Sequence, residues 1–220
     1  MSKVKLRREG GVYILTMQYG ENRFNPSSLG EINAALDEVE RSEQAVLVTT
    51  GEEKFYTLGV DLEWMTGEGI DEIPEYIKEL DKLYARLITF PMATAAAING
   101  HTFGAGSLFA LSHDYRVMRN DQGYFCFPEV DIRIPFSPVM REVLMSRLQG
   151  PAFRDVVLTG TRLKGEEAKK LGIVDHVVPE SEVLDRAIAC VSPLVDKDRT
   201  MTADLKCMWY RRVLDALAED

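Results

Sequence analysis

The chain has 220 residues, 45% apolar and 28% charged, enough for one substantial core and ordinary for a globular protein. Its 35 acidic and 26 basic residues set a net charge of −9, which disfavours nucleic acid and anionic membranes and requires a local basic patch for any anionic ligand. Cys126, Cys190 and Cys207 lack C-x-x-C spacing and, with three scattered histidines, match no metal-ligand pattern, so we expect a reducing compartment, no structural disulfide and no metal.

The opening segments "VKLRRE" and "VYILTMQ" alternate around Gly10-Gly11, a hairpin signal. Helical spacing follows in "SSLGEINAALDEVERSE", with Ser27 or Ser28 as the expected N-cap. "AVLVTTG" reads as a buried strand. A long amphipathic helix is predicted over 71–89, stopping before Pro91, and "MATAAAING" as a small-residue strand entering a glycine-rich turn. "HTFGAGSLFALSHDYRVMRN" reads as turn, short helix and strand. Helices then recur in "SPVMREVLMSRLQG", "PAFRDVVLTG", "GEEAKKLG" and "SEVLDRAIACVSPLV", ending in a helical tail over 200–219. Strand–helix alternation early and helices late make an α/β pattern. The start lacks the apolar stretch of a secretory leader, no run approaches the roughly 18 apolar residues of a membrane span, and the final "AED" is no peroxisomal address. We therefore expect a cytoplasmic protein.

Three places do not read as ordinary core. In "FYTLGVDLEW" (55–64), Gly59 separates a strand-like run from a helix-like one. "NGHTFGAGSLFAL" (99–111) carries Gly100, Gly104 and Gly106 before a short helix. Such turns either simply need glycine, or present free backbone N–H groups and a helix dipole to an oxygen. In "CFPEVDIRIPF" (126–136), Glu129 and Asp131 interrupt an apolar run; they either face water on one strand face or are held dry.

In this order and spacing, "FYTLGVDLEW", "AAINGHTFGAGSLFALSHDYRVMR", "FCFPEVDIRIPF" and "RDVVLTGTRLKGEEAKKLGIVDHVVPESEV" closely resemble the crotonase (enoyl-CoA hydratase/isomerase) superfamily, over about residues 3–190. The resemblance implies a spiral of ββα units over residues 1–190 and a C-terminal helical segment over 191–220 of the same domain, serving assembly and CoA contacts. It implies acyl-CoA thioester substrates, no separate cofactor since CoA is part of the substrate, and a homotrimer or hexamer. The oxyanion donors then match the backbone N–H groups of Val60 and Ala105. Leu58, Gly59, Asp61, Gly104, Leu108 and Phe136 fall among the substrate-binding positions.

Family hydratases carry two glutamates; here the first position is Leu108 and only the second, Glu129, is acidic. Dienoyl-CoA isomerases place a further aspartate at what is Ser137 here. What remains resembles 3-enoyl-CoA to 2-enoyl-CoA isomerases, which use one glutamate. One base can remove the alpha proton and return it at the gamma carbon. Glu129 is read as that base, made more basic by Phe125, Phe127 and Phe136. Alternatives are other enolate chemistry, such as hydration or thioester hydrolysis, or a non-catalytic acyl-CoA binder.

Asp61 is expected to cap the following helix. His101 and His113 are expected to be structural, and Cys126 to stay a thiol. Arg133 stands where relatives often carry glycine, either pairing with Asp131 or lining the acyl pocket. "MWYRR" (208–212) reads as a C-terminal helix with packed aromatics and solvated arginines. That segment, Arg23 and Lys54 are the candidate partners for the CoA phosphates.

Overall fold

The computed structural model describes residues 3–148 and 150–219. The chain begins with β1 (Val4–Glu9) and β2 (Val12–Met17), an antiparallel hairpin turning at Gly10, whose φ is +59°. Next comes α1 (Pro26–Glu40). Its N-cap is Asn25, not Ser27 or Ser28: Asn25 Oδ1 accepts from the Ser28 N–H, and Ser28 Oγ accepts from the Asn25 N–H. Pro26 decides the frame, because a proline suits the first helical turn and so moves the cap one residue ahead of it.

Three ββα units follow. They are β3 (Val46–Gly51), β4 (Phe55–Thr57) and α2 (Leu62–Thr66), to which the long α3 (Ile73–Ile88) is appended; then β5 (Thr94–Ile98), β6 (His101–Phe103) and α4 (Ala105–Leu111); then β7 (Tyr115–Arg119), β8 (Phe125–Cys126) and the single turn α5 (Glu129–Ile132). The first strands of the units join the hairpin in a six-stranded sheet of order β1-β2-β3-β5-β7-β9, parallel from β2 onward, with β9 (His176–Val178) at its edge. The second strands form a separate parallel sheet, β4-β6-β8. This is the α/β spiral expected from the sequence.

Period-2 alternation divides the large sheet between two cores. Leu15, Leu47, Ala96 and Met118 face the main core with α1, α3 and α4. Ile14, Val48, Ala97 and Val117 face Val183, Ala187 and Val191 of α9 (Val183–Val191). The remaining helices are α6 (Pro138–Arg147), α7 (Gly150–Val157), α8 (Gly165–Lys170), α10 (Arg199–Trp209) and α11 (Arg211–Glu219). The expected single C-terminal helix is thus two, broken at Tyr210. Tyr210 is buried with Val213, whereas Trp209 is 70% exposed, so only one aromatic of "MWYRR" packs. Among the described residues no helix is long and apolar enough to cross a membrane.

Candidate active site

The three functional segments occupy the same place in the three ββα units: each leaves a strand of the small sheet and starts a helix. Gly59-Val60 follow β4, Gly104-Ala105 follow β6, and Pro128-Glu129 follow β8. Parallel pairing of those strands therefore brings together residues about 70 positions apart.

Val60 is held by a backbone clamp. The Phe24 N–H donates to Gly59 O at 2.7 Å and the Asp61 N–H to Phe24 O at 2.8 Å, a parallel bridge that leaves the Val60 N–H without a protein acceptor among the described residues. Behind it the Thr57 hydroxyl donates to Asn22 O at 2.6 Å and accepts from the Gly59 N–H at 3.1 Å. The Ala105 N–H, in the first turn of α4, is likewise free. Its turn is anchored by the Gly104 N–H on Cys126 O (2.9 Å), by the Ser107 hydroxyl, 2.9 Å from the same oxygen, and by the Tyr84 hydroxyl donating to Ala105 O (3.1 Å). The two turns interlock only because both are glycine-rich. A Cβ on Gly59 would lie 2.6 Å from Phe103 O and 3.0 Å from Ala105 N, and one on Gly106 would lie 2.6 Å from Thr57 O.

Glu129 opens α5. Phe125 and Phe127 beside it are fully buried, and Phe127 meets Phe136 edge-on at 6.0 Å. One carboxyl oxygen, Oε2, is buried with no hydrogen-bond partner among the described residues, and the other would contact a Cβ placed on Gly104. Burial pushes the Glu129 carboxyl up from 4.5 to about 7. A cavity of about 410 Å³ joins Glu129 to Val60, Ala105 and Leu108. Leu58, Leu62, Met65, Ile77, Phe136 and Met140 make it apolar, whereas Arg23, His101 and Arg162 add polar groups. Free N–H donors, a dry carboxylate and an apolar chamber suit proton transfer alpha to a carbonyl whose oxygen becomes anionic.

The sequence model described as "Enoyl-CoA hydratase/isomerase" matches residues 7–220. The chain belongs to that family. It is similar to enoyl-CoA delta isomerase 3 of Arabidopsis thaliana, 37% identical over 183 residues covering 80% of this chain and 77% of the relative. Enoyl-CoA delta isomerase 2, peroxisomal, of the same plant is 33% identical over 80% of this chain and 78% of its own. The solved human mitochondrial delta3-delta2-enoyl-CoA isomerase superposes with a TM-score of 0.87 over 99% of this chain and 91% of that one, at 22% identity, a likeness of fold.

Within this family member, Leu58, Gly104, Leu108 and Phe136 line the cavity with the donors and the acid, while Gly59 and Asp61 are not among its lining residues. Asp61 is the N-cap of α2, accepting from the Trp64 N–H at 3.2 Å and from Asn25 Nδ2 at 3.1 Å. Asp131 does not share a strand face with Glu129, because the segment is a helical turn; two residues along a helix are rotated by roughly 200°, and Asp131 is exposed. Pro128 starts the turn and Arg133 ends it in the left-handed region at φ +60°, which explains why glycine suits that position. Arg133 is exposed, outside the cavity lining and, among the described residues, not ion-paired with Asp131.

His113 is structural: fully buried, it lies 2.9 Å from Thr49 Oγ1 and 2.8 Å from Phe109 O, and burial pushes it down to about 3. The Cys126 thiol is pushed up to about 11 by burial. His101 lines the cavity, and burial together with Arg162 and Arg119 lowers its pKa, favouring the neutral ring. Of the basic candidates, Arg23 reaches the cavity and Lys54 does not. Arg162, stacked over Phe103 with its guanidinium carbon 5.5 Å from the ring centroid, had no signal in the sequence.

Proposed function

We propose that the protein shifts the double bond of a 3-enoyl-CoA to the trans-2 position, with Glu129 as the single acid–base group. One observation carries this reading: Glu129 is the only carboxylate among the described residues lining the cavity, and Leu108 lines the same space. Hydration divides water activation and proton delivery between two groups, and leucine does neither. The delta isomerase names of the two Arabidopsis relatives support the same choice.

In the reaction, the thioester oxygen accepts hydrogen bonds from the Val60 and Ala105 N–H groups. The Glu129 carboxylate takes a proton from C2, and the C–H electron pair delocalises over the thioester and the C3–C4 double bond as a dienolate. Glu129 then returns the proton to C4, the double bond forms between C2 and C3, and the thioester carbonyl is restored. The apolar wall of Leu58, Leu62, Met65, Ile77 and Met140 takes the acyl chain and keeps water from the dienolate. Arg23 and Arg162, which line the same cavity, are assigned to the CoA phosphates in this reading. The exposed side chains of Met201, Leu205 and Met208, on one side of α10, support assembly as a trimer or hexamer. The three free cysteines accord with a cytoplasmic setting.

Incubation with 3-hexenoyl-CoA tests the reading. Isomerisation leaves the mass unchanged and raises the ultraviolet absorbance of the conjugated thioester, whereas a product one water heavier overturns it. The same substrate gives the pH profile. Because the base must be ionised, kcat/KM should rise about tenfold per pH unit below the carboxyl's pKa and level off above it, with the bend near 7. A bend in the ordinary carboxylate range would mean that burial does not raise the Glu129 carboxyl, and a profile with no bend through that range would remove Glu129 as the base.

A further inference from the structure

A second cavity, of about 360 Å³, opens at the other ends of the strands, where β3, β5 and β7 begin, with α10 as one wall. Among the described residues its lining carries Arg147, Lys197, Arg199 and Lys206 against Glu43 and Asp114, a local positive excess in a chain of net charge −9.

Among the described residues the cations lining this cavity outnumber its carboxylates. Lys206 Nζ, 13% exposed at its side chain, donates to Asp114 Oδ2 at 2.6 Å and to Met92 O at 2.8 Å. That same carboxylate oxygen already accepts from the Thr94 N–H and hydroxyl. Arg147 donates through Nη2 to His113 O at 2.8 Å, but its Nε is buried and has no partner among the described residues. Arg116, buried nearby, donates to the same His113 O at 2.7 Å and pairs with Asp175. Burial lowers the affinity of Arg116 and Lys206 for their protons, and Arg147 lowers both further. Of the four lining cations only Lys206 makes an ion pair among the described residues; Arg199 donates to Ser42 O at 3.0 Å and Arg147 lies with its guanidinium carbon 4.9 Å from the Tyr210 ring centroid, so positive charge around the cavity is left without a carboxylate partner.

The orientation of α10 agrees. A surface helix ordinarily turns its apolar stripe inward. Here Arg199, Thr202 and Lys206 face the cavity, and Met201, Leu205 and Met208 are more than half exposed. The cationic side of α10 is thus held against the body by Asp114, Met92 O and Ser42 O, and its remaining donors border the cavity.

We infer that this cavity binds a small oxyanion, a phosphate or carboxylate group, held by Arg147, Lys197 and Lys206 and separate from the acyl-CoA site. Isothermal titration calorimetry of the full chain at low ionic strength, with inorganic phosphate and with citrate, tests it. At least one probe should bind with Kd of about 1 mM or tighter. Binding of phosphate alone or of citrate alone identifies the source of the anion. Lys197→Gln and Arg147→Gln should each weaken binding by about tenfold or more, as expected for losing a charge-assisted hydrogen bond, whereas Lys82→Gln leaves it unchanged. Lys197 is exposed, so its variant tests the site without burdening the fold. Lys197→Gln should also leave KM for 3-hexenoyl-CoA unchanged; a raised KM would assign the cavity to CoA and overturn a separate site. No heat with either probe up to about 10 mM, or equal affinity in wild type and both variants, overturns the proposal.

Discussion

Glu129→Gln should lower isomerisation by about a thousandfold or more, the upper range for removing a general base, while the fold and enoyl-CoA binding persist. The amide keeps the shape of the carboxyl but cannot accept the C2 proton, and no other carboxylate among the described residues lines the cavity. The same substitution should stabilise the protein, in a pH-dependent way. The folded state holds the Glu129 proton more tightly than the unfolded chain, with a pKa raised from 4.5 to about 7. Below the unfolded value both states are protonated and the residue adds no pH dependence. Between the two values the folded state binds more protons, so native stability falls as pH rises, and above the folded value the full penalty of a buried carboxylate remains. At about 1.4 kcal/mol per pH unit between 4.5 and about 7, that penalty is on the order of 3–4 kcal/mol. Denaturant unfolding at pH 5 and pH 8 should therefore show the glutamine variant gaining on wild type at the higher pH. A variant that keeps more than about a tenth of wild-type turnover would rule out a one-base mechanism through Glu129.

The parts of the site that were legible in the sequence are those where backbone geometry forces a residue type. Gly59 and Gly104 have φ of +79° and +53°, so glycine marks both oxyanion turns. The burial of Glu129 was legible from Phe125 and Phe127 before it and Phe136 after it. Its secondary structure was not. The alternation in "FPEVDIRI" imitates a strand, and the helical turn is imposed by Pro128 at one end and left-handed Arg133 at the other. Propensity would not place a long cation at positive φ, so tertiary context prevails there. The α1 cap was missed because Ser27 and Ser28 outweighed Asn25, although Pro26 pointed to Asn25. The basic cavity had no signal at all. Arg147, Lys197 and Lys206 share no spacing with one another or with Asp114, and they meet only when the beginnings of the parallel strands are closed by α10. The apolar side of a surface helix ordinarily turns inward, and α10 does the reverse.

Gly59→Ala should cost about 100-fold or more in turnover, the scale of losing an oxyanion donor or misplacing one by about 1 Å. Two separate penalties act on that substitution. The first is conformational: an alanine at positive φ costs roughly 1–2 kcal/mol of stability wherever it lies. The second is steric and local, since the new Cβ would lie 2.6 Å from Phe103 O and 3.0 Å from Ala105 N. Both are backbone atoms that cannot rotate away, so the two turns must separate and the Val60 and Ala105 N–H groups lose their common focus. Gly20→Ala isolates the first penalty. Gly20 has φ of +66°, but nothing lies within 4 Å of its added Cβ. The two variants should therefore share a comparable loss in melting temperature from backbone strain. Only Gly59→Ala should lose turnover, mainly in kcat, because the donors act most strongly on the oxygen as it becomes anionic. Circular dichroism confirms folding and steady-state kinetics on 3-hexenoyl-CoA measures the rest. Equal kcat in folded Gly59→Ala and Gly20→Ala would mean that the contact between the two turns does not set the oxyanion geometry.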